Sequence, residues 1–258
     1  MATETSNTPD EDAPRRTKAR AKLVPLWESE ARSGPKLEAR AHLLEAAATA
    51  FMERGFAATT LDHVAAGLGT TKGQIYHYYR SKSDLYFDVV VGANFVVNEK
   101  TGPIFDRLDL PAVERLYQVA YAHASVIMAT WVWQRVSLEA TQHQLITSLP
   151  PRERRAMTRA TDLRDDYERR FAAIIAEGME SGALRRASTA FATKAALGSL
   201  NWLTVWYDPR RATDHPARDQ LANRMAEFVV AGLMPADLSL RDAAKAAIAE
   251  MTGAQIPR

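Results

Sequence analysis

Residues Lys72-Gly73-Gln74-Ile75-Tyr76-His77-Tyr78-Tyr79 place a cation, an amide, an imidazole and three phenols in one short run, with Ile75 alone strictly apolar. Such a run is a poor core helix and a good hydrogen-bonding surface. A glutamine amide can meet an adenine edge with its donor and its acceptor together. Lysine, threonine and tyrosine suit phosphate and sugar. Thr71 stands just before the run, where a hydroxyl caps a helix and where free N–H groups and the helix dipole favour an anion. The chemistry on offer is non-covalent recognition of a polyanion that carries base edges. Each residue also has a structural reading: Thr60 and Thr71 as helix caps, Ile75 and Tyr79 as core.

Other chemistries find little support. The chain has no cysteine, which excludes disulfides and thiolate metal sites. Its six histidines form no HxxxH or HExxH pair, so no metal and no cofactor is expected. No nucleophile elbow or glycine-rich phosphate loop is present, and an enzyme is not expected. The formal net charge is only +2, yet residues 15–82 hold twelve Lys/Arg against six Asp/Glu. A basic first third on a near-neutral body again points to a polyanion partner.

The run must be held by helices. Leu43, Leu44, Ala47, Ala48, Phe51 and Met52 recur at three and four residues, which predicts an amphipathic helix ended by Gly55. Thr60 should cap a second, through Leu61, Val64, Ala65 and Leu68, and Thr71 a third, from Lys72 to about Tyr79. The tight turn Leu68-Gly69-Thr70-Thr71 between them predicts a helix-turn-helix whose second member lies in the major groove. A fourth helix follows over 83–99. Further helices are predicted over 112–147, 152–180, 190–207 and 216–233, with an amphipathic one over 239–251. No strand pattern appears, so the fold class is all-α. The division expected is a disordered basic arm at 1–35, the helix-turn-helix domain at 36–82, a helical ligand-binding and dimerisation domain at 83–235, and an extra helix or tail at 236–258. The arm, with its Arg15-Arg16-Thr17-Lys18-Ala19-Arg20-Ala21-Lys22 stretch, suits a minor groove. No apolar run approaches the ~20 residues of a membrane span, and the polar first residues carry no secretory h-region; a cytoplasmic protein is expected.

From Ala39 to Tyr86 the chain resembles the DNA-binding domain of the tetracycline-repressor (TetR) family. The resemblance rests on Leu43-Leu44-Glu45-Ala46-Ala47, Phe51, Glu53-Arg54-Gly55-Phe56, Thr59-Thr60-Leu61, Val64-Ala65, Gly69, Thr71-Lys72-Gly73, Ile75-Tyr76 and Ser81-Lys82-Ser83-Asp84-Leu85, in order and without a gap. Thr70, Leu68, Gln74 and Tyr79 depart from the family's commoner residues. The resemblance implies a DNA interface of Thr60, Thr71, Lys72, Gly73, Gln74, Tyr76, His77, Tyr78 and Lys82. Gln74 and His77 would read bases; Thr60, Thr71 and Lys82 would hold phosphates.

It also implies an effector-sensing, dimerising body. In the 112–147 segment, His123, Ser125, Met128, Thr130, Trp131, Trp133, Gln134, Arg135 and Ser137 form an apolar stripe broken by small polar groups, which suits a ligand pocket. The segment Leu197-Gly198-Ser199-Leu200-Asn201-Trp202-Leu203-Thr204-Val205-Trp206-Tyr207-Asp208-Pro209 resembles the branch of the family that senses acyl-CoA thioesters or related breakdown products. The expected ligand residues are Met128, Trp131, Gln134, Arg135, Phe171, Asn201 and Trp202, with arginines of the 152–170 helix (Arg152, Arg154, Arg155, Arg159) near CoA phosphates. The expected dimer interface is Ala195, Ser199, Leu203, Leu221, Met225, Phe228 and Val229, with Ala196 beside them. The expected function is that of a homodimeric repressor on a near-palindromic operator, released by a small apolar effector. The alternatives are a helical protein–protein adaptor and an activator of the same fold.

Overall fold

The computed structural model describes residues 35–144, 150–211 and 214–235. The basic arm and the 239–251 helix lie outside them. The described residues form helices and no strand: α1 (Pro35–Ala58), α2 (Leu61–Gly67), α3 (Lys72–Tyr78), α4 (Lys82–Phe105), α5 (Ala112–Ala129), α6 (Trp131–Gln144), α7 (Pro151–Glu180), α8 (Thr189–Asn201), α9 (Leu203–Trp206) and α10 (His215–Leu233). None of them is long and apolar enough to cross a membrane.

The stops come where glycine permits a left-handed backbone. Gly55 (φ 72°) breaks the helical course near the end of α1, and Gly69 (φ 63°) turns the chain between α2 and α3. An L side chain at such a φ crowds its own carbonyl. Two expected single helices are instead divided. Thr130 (φ −114°, ψ 27°) separates α5 from α6, its hydroxyl donating to Val126 O at 2.7 Å. That back-bonding competes with the helix ladder. The segment expected as one helix over 190–207 has a turn at Trp202 between α8 and α9.

Two apolar cores result. One gathers Leu44, Phe51, Val64, Ile75, Tyr79 and Leu85 of the first four helices, with Val136 and Ala140 of α6 and Met157 and Ala160 of α7. The other gathers α5, most of α7, α8, α9 and α10 around Leu116, Ile127, Phe171, Leu200 and Leu203. α4 belongs to both: Leu85 to Val91 pack in the first, Val97 and Phe105 in the second. Near the end of α7, Leu184 folds back on Gly178, its N–H donating to Gly178 O at 2.8 Å. A Cβ at Gly178 would stand 2.6 Å from Leu184 Cδ1. Leu184 is buried, so Gly178→Ala is expected to cost roughly 1–3 kcal/mol through overpacking, read by urea unfolding.

Candidate nucleic-acid interface and internal cavity

α2 and α3 are short and depend on their caps. Thr60 Oγ1 accepts from His63 N–H at 3.2 Å while His63 Nδ1 accepts from Thr60 N–H at 3.2 Å, a reciprocal capping box. Thr71 occupies the N-cap of α3 but makes no side-chain cap bond. Its hydroxyl is therefore not consumed by the helix it starts. Ile75 and Tyr79 are buried, which anchors α3 on one side. Thr71, Lys72, Gly73, Gln74, Tyr76 and His77 are exposed, and Tyr78 is half-buried. Lys72 pairs with Asp62 of α2 at 2.9 Å, with both side chains in solvent. The hydroxyl of Thr70 donates to Gln74 Oε1, so the amide NH₂ is the outward end of Gln74. Lys82 stands apart: its ammonium donates to Phe56 O at 2.7 Å and Ala57 O at 3.1 Å and lies 4.5 Å from the Phe56 ring centre. It closes the end of α1.

Behind α3 sits a buried polar triad. Arg40 of α1 donates to Tyr79 Oη at 3.1 Å and to Asp88 Oδ2 of α4 at 2.9 Å, and Tyr79 donates to the same oxygen at 2.5 Å. Burial holds the Asp88 carboxyl above its ordinary value, against the pull of Tyr79 and Arg40, and burial beside Asp88 raises the Tyr79 phenol well above its own. The triad joins α1, the residue that closes α3, and α4.

A cavity of about 490 Å³ lies between α4, α5, α6, α7, α8 and α9. Asn94, Val97 and Asn98 line it from α4, and Gln134, Ser137, Leu138 and Thr141 line it from α6 at the three-to-four spacing of one helix face. The next face of α6 carries Val136 and Ala140 against α1 and α4, into the core that also holds Ile75 and Tyr79. On the far wall, His123 bonds Tyr167 Oη through Nδ1 at 2.8 Å and Asn201 Oδ1 through Nε2 at 3.1 Å. Burial lowers the pKa of His123 to about 4. Arg164, Asp165, Glu168 and Lys194 bring charge to the cavity from α7 and α8.

Of the expected ligand residues, Gln134 and Asn201 line this cavity. Met128 and Phe171 do not; they are buried in the body core. Met128 follows the cavity-lining Ile127 by one residue, a third of a helical turn away. Trp131 donates to Thr204 O at 3.1 Å with Arg135 stacked over its ring, and neither lines the cavity. Trp202 is exposed. Arg154, Arg155 and Arg159 are exposed and do not line it either, and the Arg152 side chain lies outside the described residues. His123, present in the expected polar stripe, is the wall residue that spacing alone did not single out. Asn94, Asn98 and Tyr167 gave no signal, because each sits in a run that reads as core.

Among the expected interface residues, Ala195 and Phe228 are exposed, Ser199, Leu221 and Met225 half-buried, and Ala196, Leu203 and Val229 buried within their own chain. The last three serve the body core. Phe191 of α8, Trp202 between α8 and α9, Trp206 of α9 and Phe228 of α10 are large apolar residues left exposed.

Residues 43–89 match the family described as bacterial regulatory proteins, tetR family, and residues 109–233 match the tetracyclin repressor-like C-terminal domain. The chain is 25% identical over 179 residues to the HTH-type transcriptional repressor KstR2 of Mycobacterium tuberculosis, an alignment that spans 66% of this chain and 82% of that protein. The TetR family regulator PfmR of Thermus thermophilus superposes with a TM-score of 0.62 at 26% identity, over 75% of this chain and 99% of that one. AibR, in complex with isovaleryl coenzyme A and operator DNA, shares the fold with a TM-score of 0.57 at 19% identity, over 73% of this chain and 96% of its own.

Proposed function

Since the chain belongs to the tetracycline-repressor family of transcriptional regulators, we propose that it is a homodimeric repressor whose α3 reads a near-palindromic operator and whose cavity takes the releasing effector. The observation that carries the reading is the exposed polar face of α3, held from behind by Ile75, Tyr79 and the Arg40–Asp88–Tyr79 triad. A helix anchored on one side and polar on the other can enter a groove without losing its own packing. Gln74 and His77 are the base-reading residues of this proposal. Thr71, Lys72, Tyr76 and Tyr78 hold the sugar-phosphate chain, Gly73 allows close approach, and Thr60 and Lys82 set the helix ends that meet it.

Dimerisation rests on the apolar surface of α8 to α10. Large exposed aromatic groups on neighbouring elements mark an association surface more often than chance. A two-fold pair would present two α3 helices to half-sites about one DNA turn, roughly 34–36 Å, apart. Release follows as a population shift. α6 lines the cavity with one face and packs with another in the core that also holds Ile75 and Tyr79, through α1 and α4, and α4 reaches both the cavity and that core along its length. An effector that favours one placement of these two helices favours one separation of the reading heads. An acyl-CoA thioester is the effector class we favour, on the resemblance of the 197–209 segment and on the ligand of AibR.

Fluorescence anisotropy against the upstream intergenic DNA, at two salt concentrations and with a panel of acyl-CoAs, tests the reading. Affinity should fall steeply with salt as counterions are released. Binding that ignores sequence even after random-sequence selection would favour the adaptor alternative. Gln74→Ala should cost about 1–3 kcal/mol on the preferred site and relax the preference at one base position.

A further inference from the structure

The three amides on the α4 and α6 walls of the cavity are turned the same way. Asn94 Nδ2 donates to Val90 O at 2.9 Å and Ser137 Oγ at 3.2 Å. Asn98 Nδ2 donates to Asn94 O at 3.0 Å and Leu163 O at 3.1 Å. Gln134 Nε2 donates to Ala93 O at 3.0 Å and Thr130 Oγ1 at 3.0 Å. An amide nitrogen offers two hydrogens, so all three NH₂ groups are spent inside the protein. The orientation is fixed by chemistry, because each points at a backbone carbonyl, which can only accept. Among the described residues, Asn94 Oδ1, Asn98 Oδ1 and Gln134 Oε1 receive no hydrogen bond. They are also absent from the buried polar atoms left without a partner, so they keep access to open space, and all three residues line the cavity.

We propose that the effector is a hydroxylated organic molecule whose hydroxyl groups donate to the amide oxygens of Asn94, Asn98 and Gln134 while its apolar body lies against Val97, Ile127 and Leu197. The inference rests on the reading of this cavity as the effector site and adds the ligand's chemistry to it. Ketones, ethers and carboxylates bring acceptors to a wall of acceptors. A plain hydrocarbon chain would leave the amide oxygens dry, at roughly a tenfold loss of affinity for each. An ammonium could donate, but Asp165 and Arg164 are on the exposed side, and Glu168 is already bonded to Lys194 at 2.6 Å. A cation beside the neutral amides would be desolvated without a counter-charge. If the effector is a thioester, its acyl part carries the hydroxyl.

Calorimetric titration of the purified full-length protein with a naphthalenediol, its dimethyl ether and the corresponding bis(aminomethyl) cation decides the matter. The three probes share one rigid apolar body and differ in donor and charge. The diol should bind roughly tenfold or more tightly than the ether, which has the same oxygens and no donor. Gln134→Leu should narrow that ratio, and Asn98→Leu is the second variant if the first fails to fold. Equal or tighter binding of the ether, or tightest binding of the cation, overturns the proposal and leaves the effector site standing. No binding of any probe at millimolar concentration removes the effector site and the proposal with it.

Discussion

Asp88→Ala is expected to destabilise the protein by about 3–5 kcal/mol, because it takes the carboxylate away from a guanidinium held where water is largely excluded. The side chains of Arg40 and Asp88 are only 12% and 7% exposed, so solvent cannot replace the lost carboxylate. Tyr79 loses its acceptor at the same time. Asp88→Asn should cost less: it keeps the shape and an acceptor and loses the charge complement. The sign of the pH dependence separates this carboxylate from an ordinary salt-bridged one. Its folded pKa is raised, by burial first. Stability linked to it is therefore fully present below the unfolded value of about 3.9 and lost as pH rises through the raised one. Asp88→Asn removes that dependence. Urea unfolding at fixed protein concentration, for the wild type and both variants, measures all three quantities. A loss of under about 1 kcal/mol for Asp88→Ala, the range of an exposed pair, would mean that the triad is not a structural unit. Because Tyr79 closes α3, operator affinity should fall in the same variants even though Asp88 is buried behind the reading face.

The helix-turn-helix was legible because its signals are local. Thr60 is a cap, Gly69 adopts the positive φ the turn demands, and Ile75 and Tyr79 are the buried side of α3. Two departures from the family pattern, Thr70 and Gln74, prove to touch each other, a contact that two separately odd residues do not announce. The cavity was less legible, since its walls come from six helices and its polarity depends on how those helices are rotated. The break at Thr130 shows why. Neither glycine nor proline marks it, yet it resets the phase of everything after it, so that Gln134 and Ser137 face the cavity and Trp131 and Arg135 do not. Asn94 and Asn98 are similar: amides in an apolar run look like interruptions of a core until the opposing helix is placed. Ala196, Leu203 and Val229, expected at a partner surface, are buried within their own chain for a related reason. Apolar spacing identifies a buried face but does not say whether the chain or a second copy buries it.

His123 gives the second large effect. It is buried, bonded on both ring nitrogens, and its pKa is lowered from 6.5 to about 4, by burial above all and against the bond to Asn201. The folded state therefore holds a neutral imidazole that the unfolded chain would protonate first. For a depressed pKa the linked stability is present above about 6.5 and lost as pH falls toward the folded value. A shift of this size corresponds to about 3 kcal/mol over that window. His123→Phe should remove the window and carry its own pH-independent loss, since Tyr167 and Asn201 then lose a partner. Unfolding free energies of both proteins at about pH 7 and about pH 4, on either side of that window, give the answer; parallel losses in the two would show that His123 is not the group that titrates. Protonation of His123 acts on α5, α7 and α8 together, since its two bonds cross to Tyr167 and Asn201. Acid should therefore loosen the cavity wall before it loosens α3, and the protein should lose its binding of cavity probes at a higher pH than its helical reading head loses its packing.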